Sequence, residues 1–342
     1  MLISYTIYPY LINKNYHSNS GELKAIVKIF NELQFNVDII HYSNQRKINY
    51  KNYDVIFGFG EAFENSFVQK GLKRIYYATG AHVCYQNYIE IKRVQEVNNK
   101  YNSNILPKRL VPWNWSMSTS MSNALIVVGN EWTKSTYEKY TSKQVYPINA
   151  TALKNENCLT IAKDIENTKK EFLWFGSNGL IHKGLDLCLE FFTMHHDLTL
   201  HICGQMEDDF YETFYEYMQY KNIFYHGFID VASAKFIEIT SKCSYSILPT
   251  CSEGQSTSLL TTMGAGLIPV STVFSGIDIN KYGILIKDLN NDSIEIAVNQ
   301  CVNLDLQMIE SSSNKCIEYI QENHSVVVFE KTLTKLLLQI LE

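Results

Sequence analysis

Between Ile247 and Thr272 the chain reads ILPTCSEGQSTSLLTTMGAGLIPVST: a short apolar strand, a loop holding Glu253 and Gly254, a helix opened by Ser256, Thr257 and Ser258, then Gly264, Gly266 and a second strand. A helix start offers free backbone N–H groups and about half a positive charge, so it suits a phosphate. The carboxylate just before it can accept hydrogen bonds from sugar hydroxyls. A nucleotide sugar carries both groups. The same residues also fit a plainer role, in which Ser256 to Ser258 cap a helix and Glu253 complements its dipole.

Other residues have chemistry to offer. Phe175-Gly176-Ser177-Asn178-Gly179 reads as a strand running into a glycine-containing loop, and Lys183 stands at the start of the next helix, from which its ammonium can reach a ligand at the strand ends. His82 follows a strand in Ala78-Thr79-Gly80-Ala81-His82. Ser20-Gly21 opens the first long helix and could present amides to a phosphate, with His17 in the same loop. Trp113 and Trp115, in VPWNWSMS, suit stacking on a sugar, a lipid interface, or burial beneath a loop.

The elements that must position these groups alternate along the chain. Strands are expected at Leu2–Tyr8, Val37–Tyr42, Asp54–Gly60, Arg74–Thr79, Ala124–Gly129 and Val145–Asn149, with helices at Gly21–Gln34, about Tyr85–Asn99 and Glu131–Tyr140. The polar stretch Thr151–Lys170 has little periodicity and reads as a domain crossing. Beyond it the alternation restarts. Strands are expected at Phe172–Phe175, Leu198–Gly204, Ile223–Ile229, Tyr245–Leu248, Leu267–Ser271 and Gly283–Ile286, with helices at Gly184–His195, Asp208–Tyr220, Ser233–Thr240, Ser256–Gly264 and Asp292–Leu304. A last amphipathic helix, Ser325–Glu342, can pack on either domain or bridge them. The pattern predicts two doubly wound α/β domains: residues 1–151, a linker at 152–170, residues 171–324, and the terminal helix 325–342. Two such domains facing each other would create a cleft.

Composition narrows the class. The chain has 342 residues, 46% of them hydrophobic, and no apolar run of the roughly 20 residues a bilayer span requires. No basic leader or small-residue cleavage site precedes the apolar start, so a cytoplasmic location is expected. Eight cysteines without CxxC spacing read as reduced thiols, and scattered histidines give no metal signature. Residues 1–150 carry 17 Lys+Arg against 10 Asp+Glu and the remainder 13 against 25. All four arginines (Arg46, Arg74, Arg93, Arg109) lie in the front half, which leaves the back half lysines alone to hold a phosphate. Without a basic stripe or nucleic-acid module, an anionic membrane surface suits the basic half better than nucleic acid. Lys92, Arg93 and Lys100, interleaved with Tyr88, Ile89 and Ile91, are the candidate contact.

Taken in order, WFGSNGLIHKGLDLCLEFF, LTLHICG, FYHGFI, LPTCSEG and GAGLIPVST resemble the successive donor-site segments of retaining, nucleotide-sugar-dependent glycosyltransferases of the GT-B fold, the bacterial group typified by lipopolysaccharide and capsule enzymes. The resemblance covers residues 170–290 strongly and 1–150 weakly. It implies a soluble enzyme moving a sugar from a nucleotide diphosphate to a glycan acceptor, lipid-linked and destined for surface polysaccharide such as O-antigen or capsule. It implies no metal and no separate cofactor, and no DxD triplet occurs. Lys183 would neutralise the diphosphate beside Gly176 and Ser177, with Ser177 standing where the family has an arginine. Glu253 would contact the transferred sugar, with Gly254, Gln255 and the amides of Ser256, Thr257, Ser258 and Leu259 around the donor. Thr261 or its neighbour Thr262 would hold the ribose where the family has a second glutamate, Gly227 and Phe228 would meet the nucleobase, Gly21 the phosphate from the opposite wall, and His82 the reacting hydroxyl. The changes at Ser177 and Thr261 also admit a catalytically silent partner subunit, and the fold admits a sugar-nucleotide epimerase.

Overall fold

The structure, a computed structural model, describes residues 1–11, 19–160 and 163–342; His17 lies outside them. Two six-stranded, wholly parallel sheets organise the chain. The first contains β1 (Leu2–Tyr5), β2 (Asp38–His41), β3 (Val55–Gly58), β4 (Lys73–Ala78), β5 (Ala124–Val128) and β6 (Val145–Ile148), in the order β2-β1-β3-β4-β5-β6. The second contains β7 (Glu171–Phe175), β8 (Thr199–Cys203), β9 (Ile223–Gly227), β10 (Tyr245–Leu248), β11 (Ile268–Ser271) and β12 (Ile284–Leu285), in the order β12-β11-β10-β7-β8-β9. Helices cover both faces of a parallel sheet, which is why its strands read as continuous apolar runs. Ala124 to Val128 are buried throughout, as are Tyr245 to Leu248.

Strand order fixes where each sheet can hold a ligand. In the second sheet the chain builds outward from β7 through β8 and β9, then returns to the other side of β7 to lay down β10. The loops after β7 and β10 therefore leave the sheet in opposite directions and open a crevice at their carboxyl ends. These are the loops that carry Lys183 and Glu253. In the first sheet the reversal falls between β1 and β3.

The chain divides into two compact units, one of Met1–Gln86, Val111–Thr151 and Asn323–Glu342, the other of Asn87–Leu110 and Ala152–Glu322. The sequence pattern places residues 87–110 in the front domain. In the structure, Asn87–Leu110 belongs to the second unit because its polar side chains find their partners there. Arg93 Nη2 lies 2.7 Å from Asp186 Oδ2, Lys100 Nζ lies 2.7 Å from Glu190 Oε2, and the Tyr101 hydroxyl donates to Glu190. Arg93 is thus buried in an ion pair and unavailable to a membrane surface, while Tyr88 and Ile91 on the same helix, Val83–Tyr101, stay exposed.

The terminal helix Val326–Leu341 packs on the first unit, against helix Asn19–Glu32 and β6. Phe329, Leu333 and Leu337 are its buried stripe, spaced four residues apart, and Lys28 Nζ reaches Glu330 at 2.7 Å. A Cβ on Gly21 would lie 3.1 Å from Val326 Cγ2, so the glycine accounts for the close approach of the two helices. Helix Leu306–Asn323 is not anticipated by the sequence pattern; its three consecutive serines, Ser311 to Ser313, dilute the helical signal, yet Ile309, Cys316 and Ile320 form a buried seam. Replacing Leu337, which is fully buried, with alanine should cost about 2–5 kcal/mol through lost burial and the cavity left behind. Thermal unfolding of the variant should show a midpoint several degrees lower, and an unchanged midpoint would contradict this packing.

Candidate functional site in the second unit

Gly176 follows β7 with its amide donated to the Cys203 carbonyl, and a Cβ there would lie 2.5 Å from the Trp174 indole. The loop then turns through Gly179, buried with φ +86°, and reaches Lys183 just before helix Leu185–Met194. Gly184 adopts the left-handed conformation at φ 68°, and a Cβ on it would collide with the Pro249 carbonyl. Only glycine lets the β7 loop press so closely on the start of the β10 loop.

The β10 loop is fixed from two sides. The Cys251 amide donates to the His182 carbonyl at 2.9 Å, the Glu253 amide to Phe274 at 2.9 Å, and the Ser256 amide to Ser275 at 2.8 Å. Lys183 and Glu253, 5% and 8% exposed, consequently meet: the ammonium donates to Glu253 Oε1, and the Thr250 hydroxyl reaches the same oxygen at 3.4 Å. Burial alone would raise the Glu253 pKa, but the nearby charges of Lys183, Arg109 and His182 reverse that and hold it at about 2. Burial lowers Lys183, with Glu253 opposing it. The ion pair is the direction that the geometry supports, because a buried carboxylate in contact with an ammonium, with a second cation nearby, keeps its charge.

Arg109 brings a charge that the sequence pattern places elsewhere. Its Nη2 stands 3.8 Å from Glu253 Oε2, and its stem lies so close to the β7 loop that a Cβ on Gly179 would collide with Arg109 Cγ. The expectation that this half has only lysines for a phosphate is corrected by the fold, since residues 87–110 bring Arg93 and Arg109 into it. Glu90 sets this placement. It is buried at 1% exposure and accepts from the amides of Lys108 and Arg109 at 2.8 and 3.0 Å and from His182 Nδ1 at 2.7 Å. The His182 imidazole continues to the Ser252 carbonyl through Nε2, so one run of hydrogen bonds joins Arg109 to the residue before Glu253. Burial would raise Glu90, but its bond to and the charge of His182, with the two amides, hold its pKa below the ordinary carboxylate value.

Helix Thr257–Gly264 begins at Ser256 with no side-chain cap; the Ser256 hydroxyl instead meets that of Ser258 at 3.1 Å. Helices starting at Glu131, Ala234, Asn291 and Val326 are capped by Asn130, Ser233, Asn290 and Ser325. Amides at Thr257, Ser258 and Leu259 are thus aligned at a dipole-positive end beside the ion pair. Gln255 donates to the Gly276 carbonyl at 3.3 Å, and Gly254 is buried within the same loop.

Other expected site residues are placed less directly. Ser177 is exposed on the β7 loop. The Thr261 hydroxyl donates to the Thr257 carbonyl at 2.7 Å, and Thr262 is fully buried with its hydroxyl on the Leu259 carbonyl, so Thr262 cannot reach a ribose. Gly227 ends β9, with β8 between it and β7, and Phe228 follows the strand and is exposed. In the first unit, His82 is buried, stacked on Tyr140 at 3.9 Å, and accepts the Cys84 amide at Nδ1, 3.2 Å away. Burial lowers its pKa to about 4, so the ring is neutral with its proton on Nε2, which has no protein partner among the described residues. Trp115 packs on Tyr42 and Phe59 while Trp113 is exposed. All eight cysteines are free. Among the described residues no group of three or more His, Cys, Asp or Glu side chains is arranged to hold a metal, and no helix is long and apolar enough to cross a membrane.

Two measurements check this geometry. Glu90→Ala strands the buried His182 and two part-buried amides, and should lower stability by about 3 kcal/mol; chemical denaturation reading less than about 1 kcal/mol would contradict the network. Because the folded pKa of Glu253 lies at about 2, below its ordinary 4.5, its ionised form stabilises the fold above pH 4.5 and that contribution is lost as pH falls through about 2. The stability difference between the wild type and Glu253→Gln should therefore be constant above about pH 5 and shrink steadily on acidification.

Comparison with known proteins adds the context for this site. The model of the family described as Glycosyl transferases group 1 matches residues 160–323. A search of curated proteins found no match. Among solved structures, TarM of S. aureus is similar at a TM-score of 0.57 and 16% identity, over 82% of this chain and 54% of TarM, so the chain spans about half of TarM's length. Sucrose-phosphate synthase from Thermosynechococcus elongatus is similar over 99% of this chain and 98% of its own, with a TM-score of 0.69 and 11% identity. WaaG, a glycosyltransferase involved in lipopolysaccharide biosynthesis, is similar over 98% of this chain and 99% of its own, with a TM-score of 0.62 and 12% identity. Identities this low speak for the fold, which is GT-B with two Rossmann-like units. The family match spans just under half of the chain, the part that holds Lys183 and Glu253.

Proposed function

We propose that this chain transfers a hexose from a nucleoside diphosphate sugar to a hydroxyl of a glycan acceptor, with retention of anomeric configuration and without a metal. The observation that carries the reading is the buried Lys183–Glu253 pair at the strand reversal, set against an uncapped helix start. A diphosphate leaving group accumulates negative charge as the glycosidic bond breaks, and preorganised cations and amides aimed at it lower the barrier without reorganising. Lys183 and the amides of Thr257, Ser258 and Leu259 supply such an arrangement. Glu253, held ionised, accepts hydrogen bonds from the sugar hydroxyls and orients the ring. TarM was solved with UDP bound, which supports a donor of this class.

The nucleoside would extend over the carboxyl ends of β8 and β9, toward Gly227 and Phe228. A cavity of about 460 Å³ opens beside the loops that follow β7 and β8, lined by Lys108, Asn178, Gln205, Met206, Glu207, Asp208 and Asp209, whose carboxylates can accept from base N–H and ribose O–H groups. The Thr261 oxygen, its proton already given to Thr257, is left to accept a ribose hydroxyl. The acceptor is lipid-linked and serves surface polysaccharide synthesis at the inner face of the membrane; the exposed Trp113, Met117 and Met121 offer an apolar contact for that surface. Ser177 and Thr261 favour a second reading, a catalytically silent partner subunit that binds donor but does not turn it over.

A thermal-shift screen against UDP-, GDP-, ADP- and CMP-sugars should single out one stabilising nucleotide diphosphate sugar, since a ligand of the native state raises the melting temperature. Consumption of the radiolabelled donor with an acceptor separates the enzyme from the silent subunit. Lys183→Ala should reduce turnover about 10²- to 10³-fold. Failure of every nucleotide sugar to shift the melting curve would overturn both readings.

A further inference from the structure

The donor site proposed for the β7–β10 crevice, on which the role of Arg109 rests, has an electrostatic deficit that the ion pair itself creates. Lys183 is bonded to Glu253, so the two charges nearly cancel as seen by an incoming ligand. A pyrophosphate brings at least two negative charges and needs a further cation. The geometry points to Arg109 as that cation: a donor-phosphate ligand delivered by residues 87–110 to the mouth of the crevice.

Three observations place it. The Arg109 stem lies along the buried Gly179 turn, while its guanidinium reaches to 3.8 Å from Glu253 Oε2. The side chain therefore spans the same two loops that carry Lys183 and Glu253. Next, the side chain keeps 36% of its exposure, against 6% for Lys183, so it stands on the solvent side of the buried pair, where an incoming anion arrives. Lastly, the position is fixed from behind. Glu90 accepts both the Lys108 and Arg109 amides, and through His182 the same carboxylate is tied to the Ser252 carbonyl. That backbone anchoring would be wasted on a solvated arginine, whereas it holds a phosphate ligand in register with Glu253. With Arg109 counted, the site carries one net positive charge, complementary to a diphosphate, and the exposed Ser177 need supply none.

The test uses inorganic pyrophosphate as probe, titrated calorimetrically into the full chain at fixed ionic strength. Arg109→Gln should weaken binding about tenfold or more, the loss of one charge-assisted contact. Arg109→Lys should recover part of that loss, because it restores charge without the planar fork. Arg46→Gln, an exposed arginine of the first unit, should bind as the wild type does. Wild-type affinity in Arg109→Gln, with binding weakened in Lys183→Met, would overturn the role of Arg109 and leave the donor site standing. Equal weakening in the glutamine and lysine variants, with both melting at lower temperature, would make Arg109 a packing residue and also overturn it. No binding by the wild type, or none lost in either Lys183→Met or Arg109→Gln, would remove the donor-site reading as well.

Discussion

A buried ion pair between Lys183 and Glu253 is the constraint around which the second unit is arranged. Removing two opposite charges from water costs several kcal/mol for each ion, and the protein recovers this only by holding them in contact and satisfying their remaining bonds. The surrounding structure does so with close tolerances. Gly184 lets the β7 loop press on Pro249, Cys251 is bonded to His182, and the turn after β11 holds the Glu253 and Ser256 amides. A pair of this kind is weak evidence for stability, since apolar side chains would fill the space at least as well. Its placement at the strand reversal fits the charged ligand proposed above, because at that point two loops diverge and leave backbone and side chains able to converge on one molecule.

The distribution of charge along the sequence misleads here, and the reason is topological. The front half is basic and the back half acidic, so the half proposed to bind phosphate looks short of cations. The helix Val83–Tyr101 and the loop after it redistribute them. Arg93 is buried against Asp186, where it offsets an acid that would otherwise be costly to bury, and Arg109 stands near Glu253. Glu90 is the link between these events, since it lies on the helix yet bonds the loop and His182. A carboxylate with three donors can organise both loop and histidine; a neutral side chain could satisfy only part of that set.

The first unit repeats the parallel-sheet logic with different contents. Its strand reversal lies between β1 and β3, and near it Glu22 is a buried carboxylate bonded to Tyr5, Tyr77 and Thr151. Burial raises its pKa while those bonds oppose the rise. His82, neutral and packed beneath Tyr140, belongs to the same unit. The return of the terminal helix to this unit, through Phe329, Leu333 and Leu337, closes the chain back on the elements where it began.

The sequence by itself determined the twelve strands and their parallel arrangement, because fully buried strands leave unbroken apolar runs such as Ala124–Val128 and glycines punctuate the loops after them. It also brought Lys183 and Glu253 to the carboxyl edge of one sheet, since each follows a strand at a position that a doubly wound sheet places there. Tertiary structure alone decided the rest. Nothing in the spacing of residues 87–110 tells which unit they join; that depends on Asp186, Glu190 and Asp209, about a hundred positions away, finding Arg93, Lys100 and Lys108. The fate of Thr262 was equally hidden, because helical phase, not residue type, turned its hydroxyl into the core. Local pattern encodes which elements form, whereas the pairing of charges between distant elements is settled only when burial makes leaving them apart too costly.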